Sequence, residues 1–248
     1  FLKGKTMNKE KMKIEIWSDI ACPFCFIGKR QLENVLRNSP YWNEIEIVWK
    51  SFILDPTIPA DSNQSLTDYF INTKGLSLSQ VEKLANKIQN QAKNVGLDFN
   101  YDKAIAANTL NAHRLSHLAR NKSAELQNRA EDLLFKAYFM EGRNINNLDV
   151  LLEIGVQLGF EKSEVEEVIT KQKFSEAIKK EGEEATALGI NVIPYLVLNK
   201  QQIISGVQTE ENLSSTIEKA YKEWKDNKTS TDTTIIQGSS CSIDGHCE

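Results

Sequence analysis

Along Lys13 to Ser18 (KIEIWS) the apolar residues Ile14 and Ile16 alternate with polar neighbours, and this two-residue period predicts a strand. After Pro23 the period changes. Phe26, Ile27, Leu32, Val35 and Leu36 recur at helical spacing, which predicts a helix over Phe24 to Arg37, ended by Asn38-Ser39-Pro40. Ile45 to Phe52 (IEIVWKSF) is rich in β-branched and aromatic residues and predicts a second strand, closed by Asp55-Pro56 and Pro59.

From about Ser62 to Gly189 the apolar positions recur every three or four residues. Leu78, Val81, Leu84, Ala85, Ile88, Ala92 and Val95 define one helix, with Gly96 placed to end it. Leu126, Ala130, Leu133, Leu134, Ala137 and Tyr138 define another, with Gly142 after it. Further helices are predicted over Ala107 to Arg120, Leu148 to Leu158, Ser163 to Lys171 and Phe174 to Leu188. Proline is absent between Pro59 and Pro194, so a block of about six or seven helices is expected.

Strand character returns at Tyr195 to Leu198, turns at Asn199-Lys200 and resumes over Gln202 to Ser205, which reads as a hairpin. Thr209 is placed to cap a last helix through Leu213, Ile217, Ala220 and Trp224. The order β-α-β, helical block, β-β-α predicts an α/β class protein. One α/β domain is formed from residues 13–61 and 190–226, and a helical subdomain, 62–189, is inserted into it. Beyond Lys225 the run DNKTSTDTTIIQGSS is polar and without period, so 227–248 is expected to be a flexible tail ending in CSIDGHCE.

Composition narrows the function classes. At 248 residues the chain can bury a sizeable core without disulfide staples. With 40% apolar and 26% charged residues and a net charge of -4, the basic side chains are interleaved with Glu, which gives no footprint for nucleic acid. The mixed runs Glu161 to Glu167 and Lys179 to Glu184 read as solvated helix faces. No apolar run approaches the roughly 20 residues that span a bilayer. The start FLKGKTMNKEKMKIEIW lacks the apolar core of a secretory signal, so a cytoplasmic protein is expected. Phe1 is not an initiator residue. Residues 1 to 6 are read as preceding a natural start at Met7 and are left out of the fold.

Four cysteines fall into two pairs, Cys22/Cys25 and Cys241/Cys247. In a reducing compartment such pairs are more often redox or metal groups than structural bridges. A strand running into Cys22-Pro23-Phe24-Cys25 and then a helix puts Cys22 at the helix N-terminus, with Pro23 in the first turn, where its missing N–H costs nothing. Free backbone N–H groups and the helix dipole favour a thiolate there. Cys22 is then the nucleophile, exposed to substrate, and Cys25, on nearly the same helical face, is the shielded resolving thiol. The alternative is two cysteines that simply pack; placement between strand and helix favours redox chemistry. Ile193-Pro194 lies where a helix has ended and a strand begins. A cis bond there would leave the preceding backbone free to pair with an extended peptide, although only about 5–6% of X-Pro bonds are cis.

Asp19 to Arg30 (DIACPFCFIGKR), Asn191 to Leu198 (NVIPYLVL) and Ser205 to Gln208 (SGVQ) together resemble the DsbA-type thioredoxin superfamily, in particular its FrnE-like branch. The resemblance spans Lys13 to Trp224, long helical insertion included, and Ala107 to Leu115 (ANTLNAHRL) also resembles that branch, in a part that faces the active site. It implies a thioredoxin fold in which Cys22 attacks, Cys25 resolves, and Pro194 is cis and lies against the reactive cysteine. Pro23, Phe24, Ile193 and Pro194 are then expected to meet the substrate, a cysteine-containing peptide or protein. Disulfide exchange of this kind is expected to need no bound cofactor or metal, with glutathione or a thioredoxin as the recycling partner. DsbA has His where this chain has Phe24, which implies a less oxidising couple and leaves reductase and isomerase roles open.

Glutathione-dependent 2-hydroxychromene-2-carboxylate isomerases and kappa-class glutathione transferases share the insertion topology but use Ser at the position of Cys22. Retention of both cysteines weighs against those activities. A redox-responsive binding module is the rival from another class.

His113 and His117, four apart, share a helical face that could hold a metal, but no carboxylate completes a recognised motif. A packed role is the simpler reading, and the match of His113 to the resembled motif makes it a candidate support of the cleft. Cys241 and Cys247, flanking His246, could form a second redox pair with Cys22/Cys25, close an inert loop or bind zinc. FrnE-like proteins can carry such a tail pair, usually one residue closer together.

Overall fold

The computed structural model describes residues 10–226, 235–243, 246 and 247. The start assigned to Met7 and the polar run 227–234 lie outside the described residues. In chain order the elements are β1 (Met12–Ser18), α1 (Pro23–Arg37), β2 (Ile45–Ser51), α2 (Leu66–Asn72), α3 (Leu78–Asn94), α4 (Leu110–Arg120), α5 (Ala124–Phe135), α6 (Leu148–Gln157), α7 (Lys162–Thr170), α8 (Ser175–Ala187), β3 (Val192–Ile193), β4 (Tyr195–Leu198), β5 (Gln202–Ser205), α9 (Glu210–Lys225), β6 (Ile235–Gln237) and β7 (Cys241–Ser242). A π-helical turn, Lys136–Met140, extends α5. The predicted α/β layer with a helical insertion is what forms.

The main sheet has the order β2-β1-β4-β5-β6. β1 runs parallel to β2, with Ile14 opposite Ile47, and antiparallel to β4, with Ile16 opposite Leu196. β4 and β5 make the predicted hairpin. The pleat separates two cores. Met12, Ile14 and Ile16 pack with Leu32 and Leu36 of α1 and Leu213 and Ile217 of α9. Trp17, on the other face, belongs to a larger core shared with the insertion. Phe26 of α1 is buried in that core, its ring 5.1 Å from Phe135 and 5.7 Å from Phe99, so α1 and the insertion share one aromatic stack.

Helix ends follow local chemistry. Ser77 and Gln80 form a capping box at α3, and Thr209 caps α9 by accepting from the Asn212 N–H, as its sequence position predicts. Two starts move inward. The helix predicted from Ala107 begins at Leu110, because Ala104 and Ala106 are held extended by backbone bonds with Leu66 and Gln64 and the Asn108 side chain accepts from the Leu110 N–H. Phe174 is left-handed, φ 65°, and stands outside α8.

The tail departs from its expected flexibility in its described part. Ile235–Gln237 adds to the main sheet beside β5, in parallel, with Ile203 opposite Ile235 and Ser205 opposite Gln237. Crossing back, Val207 and Ser239 pair, the Val207 N–H donating to the Ser239 carbonyl at 2.8 Å. This crossing requires glycine: Gly206 has φ 75°, and a Cβ on Gly238 would lie 1.8 Å from the Val207 oxygen. β7 then pairs antiparallel with β3, Cys241 opposite Ile193 and Ser242 opposite Val192.

Candidate active site

Asp19 builds the turn that delivers Cys22. Fully buried, it accepts from the Leu54 N–H at 2.7 Å and the Ala21 N–H at 3.3 Å through its carboxylate, while its backbone carbonyl accepts from the Cys22 N–H at 3.0 Å. Cys22 is the extended N-cap of α1, followed by Pro23 in the first turn, as predicted. The Cys25 N–H donates back to the Cys22 carbonyl at 3.1 Å, closing the turn.

The second wall is the Ile193-Pro194 segment, whose peptide bond is cis. The Cys22 thiol donates to the Ile193 carbonyl, Sγ to O 3.8 Å. Gly28 eases this approach of α1: a Cβ there would lie 3.3 Å from Pro194 Cγ, a tight contact. The Pro194 carbonyl accepts from the Gly206 N–H at 2.7 Å, which ties the segment to the Ser205–Gln208 corner.

Both Cys22 and Cys25 are free thiols, and both are fully buried. The expectation that one sulfur is exposed is therefore corrected: the returning tail closes over the turn, and Cys241 is buried in the same cluster as Cys22 and Cys25. Burial pushes the Cys25 thiol well above its usual range, and the hydrogen bond and charge of Cys22 push it further. Cys25 is thus held as a thiol.

Phe24, expected to meet substrate, is instead fully enclosed in the core beside Phe26 and Ile27, because the first turn of α1 points that ring inward. Pro23 does line a cavity in front of the turn, together with Asp19, Ala21, Tyr69, Tyr138, Cys241 and Cys247. Two carboxylates of its lining, Asp19 and Asp55, hold polar partners, the buried His113 among them. Burial pulls His113 down, but the Asp19 carboxylate, 3.4 Å from its Nε2, outweighs this and the net shift is upward. Burial likewise works against ionised Asp55, yet bonds from Thr57, Tyr69 and Lys74 hold its carboxyl at about 2.

His113 and His117 have separate partners. His117 lies 3.1 Å from both Ser51 Oγ and Glu181 Oε2. Among the described residues no group of three or more His, Cys, Asp or Glu is gathered to hold a metal ion, and no helix is long and apolar enough to cross a membrane. Cys241 and Cys247 are joined as a disulfide. The structure thus brings Cys22, Cys25, Pro23, Ile193, Pro194, His113 and the Cys241–Cys247 pair to one place. Sequence reasoning missed Asp19 and Gly28. The only available signal for them was their presence in the quoted run Asp19 to Arg30.

Comparison with known proteins agrees with this geometry. A crystal structure of a probable DsbA oxidoreductase from Streptomyces coelicolor superposes with a TM-score of 0.80 at 29% identity, covering 96% of this chain and 98% of that one. A 2-hydroxychromene-2-carboxylate isomerase shares the fold at 14% identity, TM-score 0.65, over 88% of this chain and 100% of that one. The uncharacterized protein YwbO of Bacillus subtilis is 24% identical over 217 residues, 85% of this chain and 98% of its own. The model of the DSBA-like thioredoxin domain matches residues 13–218, and with a C-x-x-C at the mouth of α1 facing a cis proline, this chain belongs to that family.

Proposed function

We propose that the protein exchanges disulfides with cysteine-containing peptides or proteins through Cys22-Pro23-Phe24-Cys25. The family and its neighbours support an oxidoreductase of thiol–disulfide type. The observation that carries the finer reading is the pairing of unlike sulfurs: Cys22 caps α1 with its Sγ on the Ile193 carbonyl, and Cys25 is held beneath it as a thiol. Deprotonated Cys22 attacks a substrate disulfide, forming a mixed disulfide and releasing one substrate sulfur as thiolate. Cys25 then gives up its proton and attacks the Cys22 sulfur, releasing the second. Two electrons pass to the substrate, and the protein is left with a Cys22–Cys25 disulfide. Glutathione or a thioredoxin in the cytosol returns the electrons.

Pro23, Ile193 and Pro194 form the contact surface, and the Ile193 edge, on which β7 now pairs, is where an extended peptide would add. His113 positions the turn through Asp19. The test is reduction of a disulfide-bearing protein such as insulin, followed by turbidity, with the wild type and Cys22→Ser. Turnover is expected to fall to the uncatalysed background in the variant. Full activity in Cys22→Ser would end this reading, and a glutathione-dependent isomerisation surviving that change would replace it with the isomerase one.

A further inference from the structure

We infer that Cys241–Ser242–Ile243 occupies, as an internal ligand, the groove that a substrate peptide must enter, and that this groove selects an extended peptide with an apolar residue two positions beyond its cysteine. The inference rests on Cys22 being the attacking thiol and specifies what reaches it.

Three observations carry it. First, the free edge of β3 is two residues long, and β7 takes it, antiparallel, with Cys241 directly opposite Ile193. The Ile193 carbonyl is the group on which Cys22 Sγ rests. A peptide cysteine brought to Cys22 along this edge must take the register that Cys241 now holds, because a strand edge accepts one partner. Second, Cys241 is fully buried with Cys22, so the segment fills the approach as well as pairing along it.

Third, Ile243 follows β7 directly and carries its pairing with the β3 segment one residue further. The Ile243 N–H donates to the Asn191 carbonyl at 3.2 Å, and the residue lines a mainly apolar groove formed by Phe52, Leu54, Ile178 and Ile190. Ile243 is 50% exposed, so the groove is only partly filled and can take a larger apolar side chain.

The occupant is tethered closely and paired over a short length. The Ile235–Gln237 pairing and the Gly206–Gly238 crossing keep residues 235–239 beside the site, and a short tether raises the effective concentration of the segment. Its own hold is two strand pairs, the Ile243 N–H bond to Asn191, the burial of Cys241 and one half-exposed isoleucine. A substrate therefore competes with it, and the apparent affinity falls by the fraction of time that the groove is free.

The test uses the full chain, wild type and Ile243→Pro, which deletes the N–H given to Asn191. One readout is the alkylation rate of Cys22 by a bulky maleimide, mapped by mass spectrometry. The other is binding of a redox-inert peptide, GSSSSIDG, which copies residues 238–245 with Ser for Cys241, against the same peptide with Asp for Ile. Ile243→Pro is expected to raise both the alkylation rate and the affinity for the isoleucine peptide about tenfold. The aspartate peptide is expected to bind about tenfold more weakly than its isoleucine counterpart in the variant. Gly238→Val, which breaks the crossing outside the groove, is expected to act in the same direction and guards against a local fault of the first variant.

Unchanged alkylation and binding in both variants would overturn the proposal, as would equal binding of the two peptides. Neither readout needs turnover, so a failed groove and a failed oxidoreductase are told apart. If both readouts move while Cys22→Ser keeps full activity, the groove stands and the disulfide mechanism falls.

Discussion

The outer sides of β2 and β5 in the main sheet are covered in opposite ways. At β2 the insertion does it with buried side chains. Gln127 of α5 accepts from the Trp49 N–H and donates to the Trp49 carbonyl, and Glu181 of α8 accepts from the Ser51 N–H at 2.7 Å. At β5 the tail does it with backbone alone, through three residues of which Ile235 is 55% exposed. An open edge invites pairing with other chains, so both need cover. The difference is in permanence. A cover built from buried, charge-bearing side chains comes off only with the fold, whereas a short backbone strand at the surface can leave and return.

That contrast can be attacked from the strong side first. Glu181 also lies 2.6 Å from Arg120 and 3.1 Å from His117, so Glu181→Ala strands several buried groups and is expected to cost about 3–5 kcal/mol by chemical denaturation. Burial alone would raise its carboxyl, but the His117, Ser51 and Arg120 contacts win and hold it at about 2. Its ordinary value is 4.5, so this stabilisation is complete above that pH and is lost as the pH falls toward 2. The variant should lack that slice of acid sensitivity.

Gln127→Leu leaves the Trp49 N–H and carbonyl without their partner and is expected to cost about 1–3 kcal/mol in the same assay. At the weak edge, Ile235→Ser should change global stability by no more than about 0.5 kcal/mol. A loss there as large as that of Gln127→Leu would show that the two edges are held alike.

How much of this was legible in the sequence follows the range of the forces involved. β1, β2 and the β4–β5 hairpin announce themselves by alternation, and Thr209 by its place before a helical period, because each depends on near neighbours. The C-x-x-C at a strand–helix junction was legible for the same reason. β6 was not: Ile235–Gln237 is three residues in a polar run, and only its pairing with β5, some thirty positions earlier, makes it a strand. The cis state of Pro194 came from family resemblance, since a lone X-Pro carries no local mark of its isomer. The burial of Cys22 was also beyond sequence reasoning, which places a sulfur at a helix end without seeing what folds over it.

Trp17 is fully enclosed on the insertion side of the sheet, its Nε1 donating to the Glu181 carbonyl at 3.2 Å and Lys50 Nζ lying 5.1 Å from its ring. The indole therefore sits at the seam between the two halves of the molecule, in a dry setting with a cation beside it. With Trp42, Trp49 and Trp224 replaced by Phe it becomes an optical gauge: if α8 lifts from the sheet, water reaches this ring, and its emission shifts to the red.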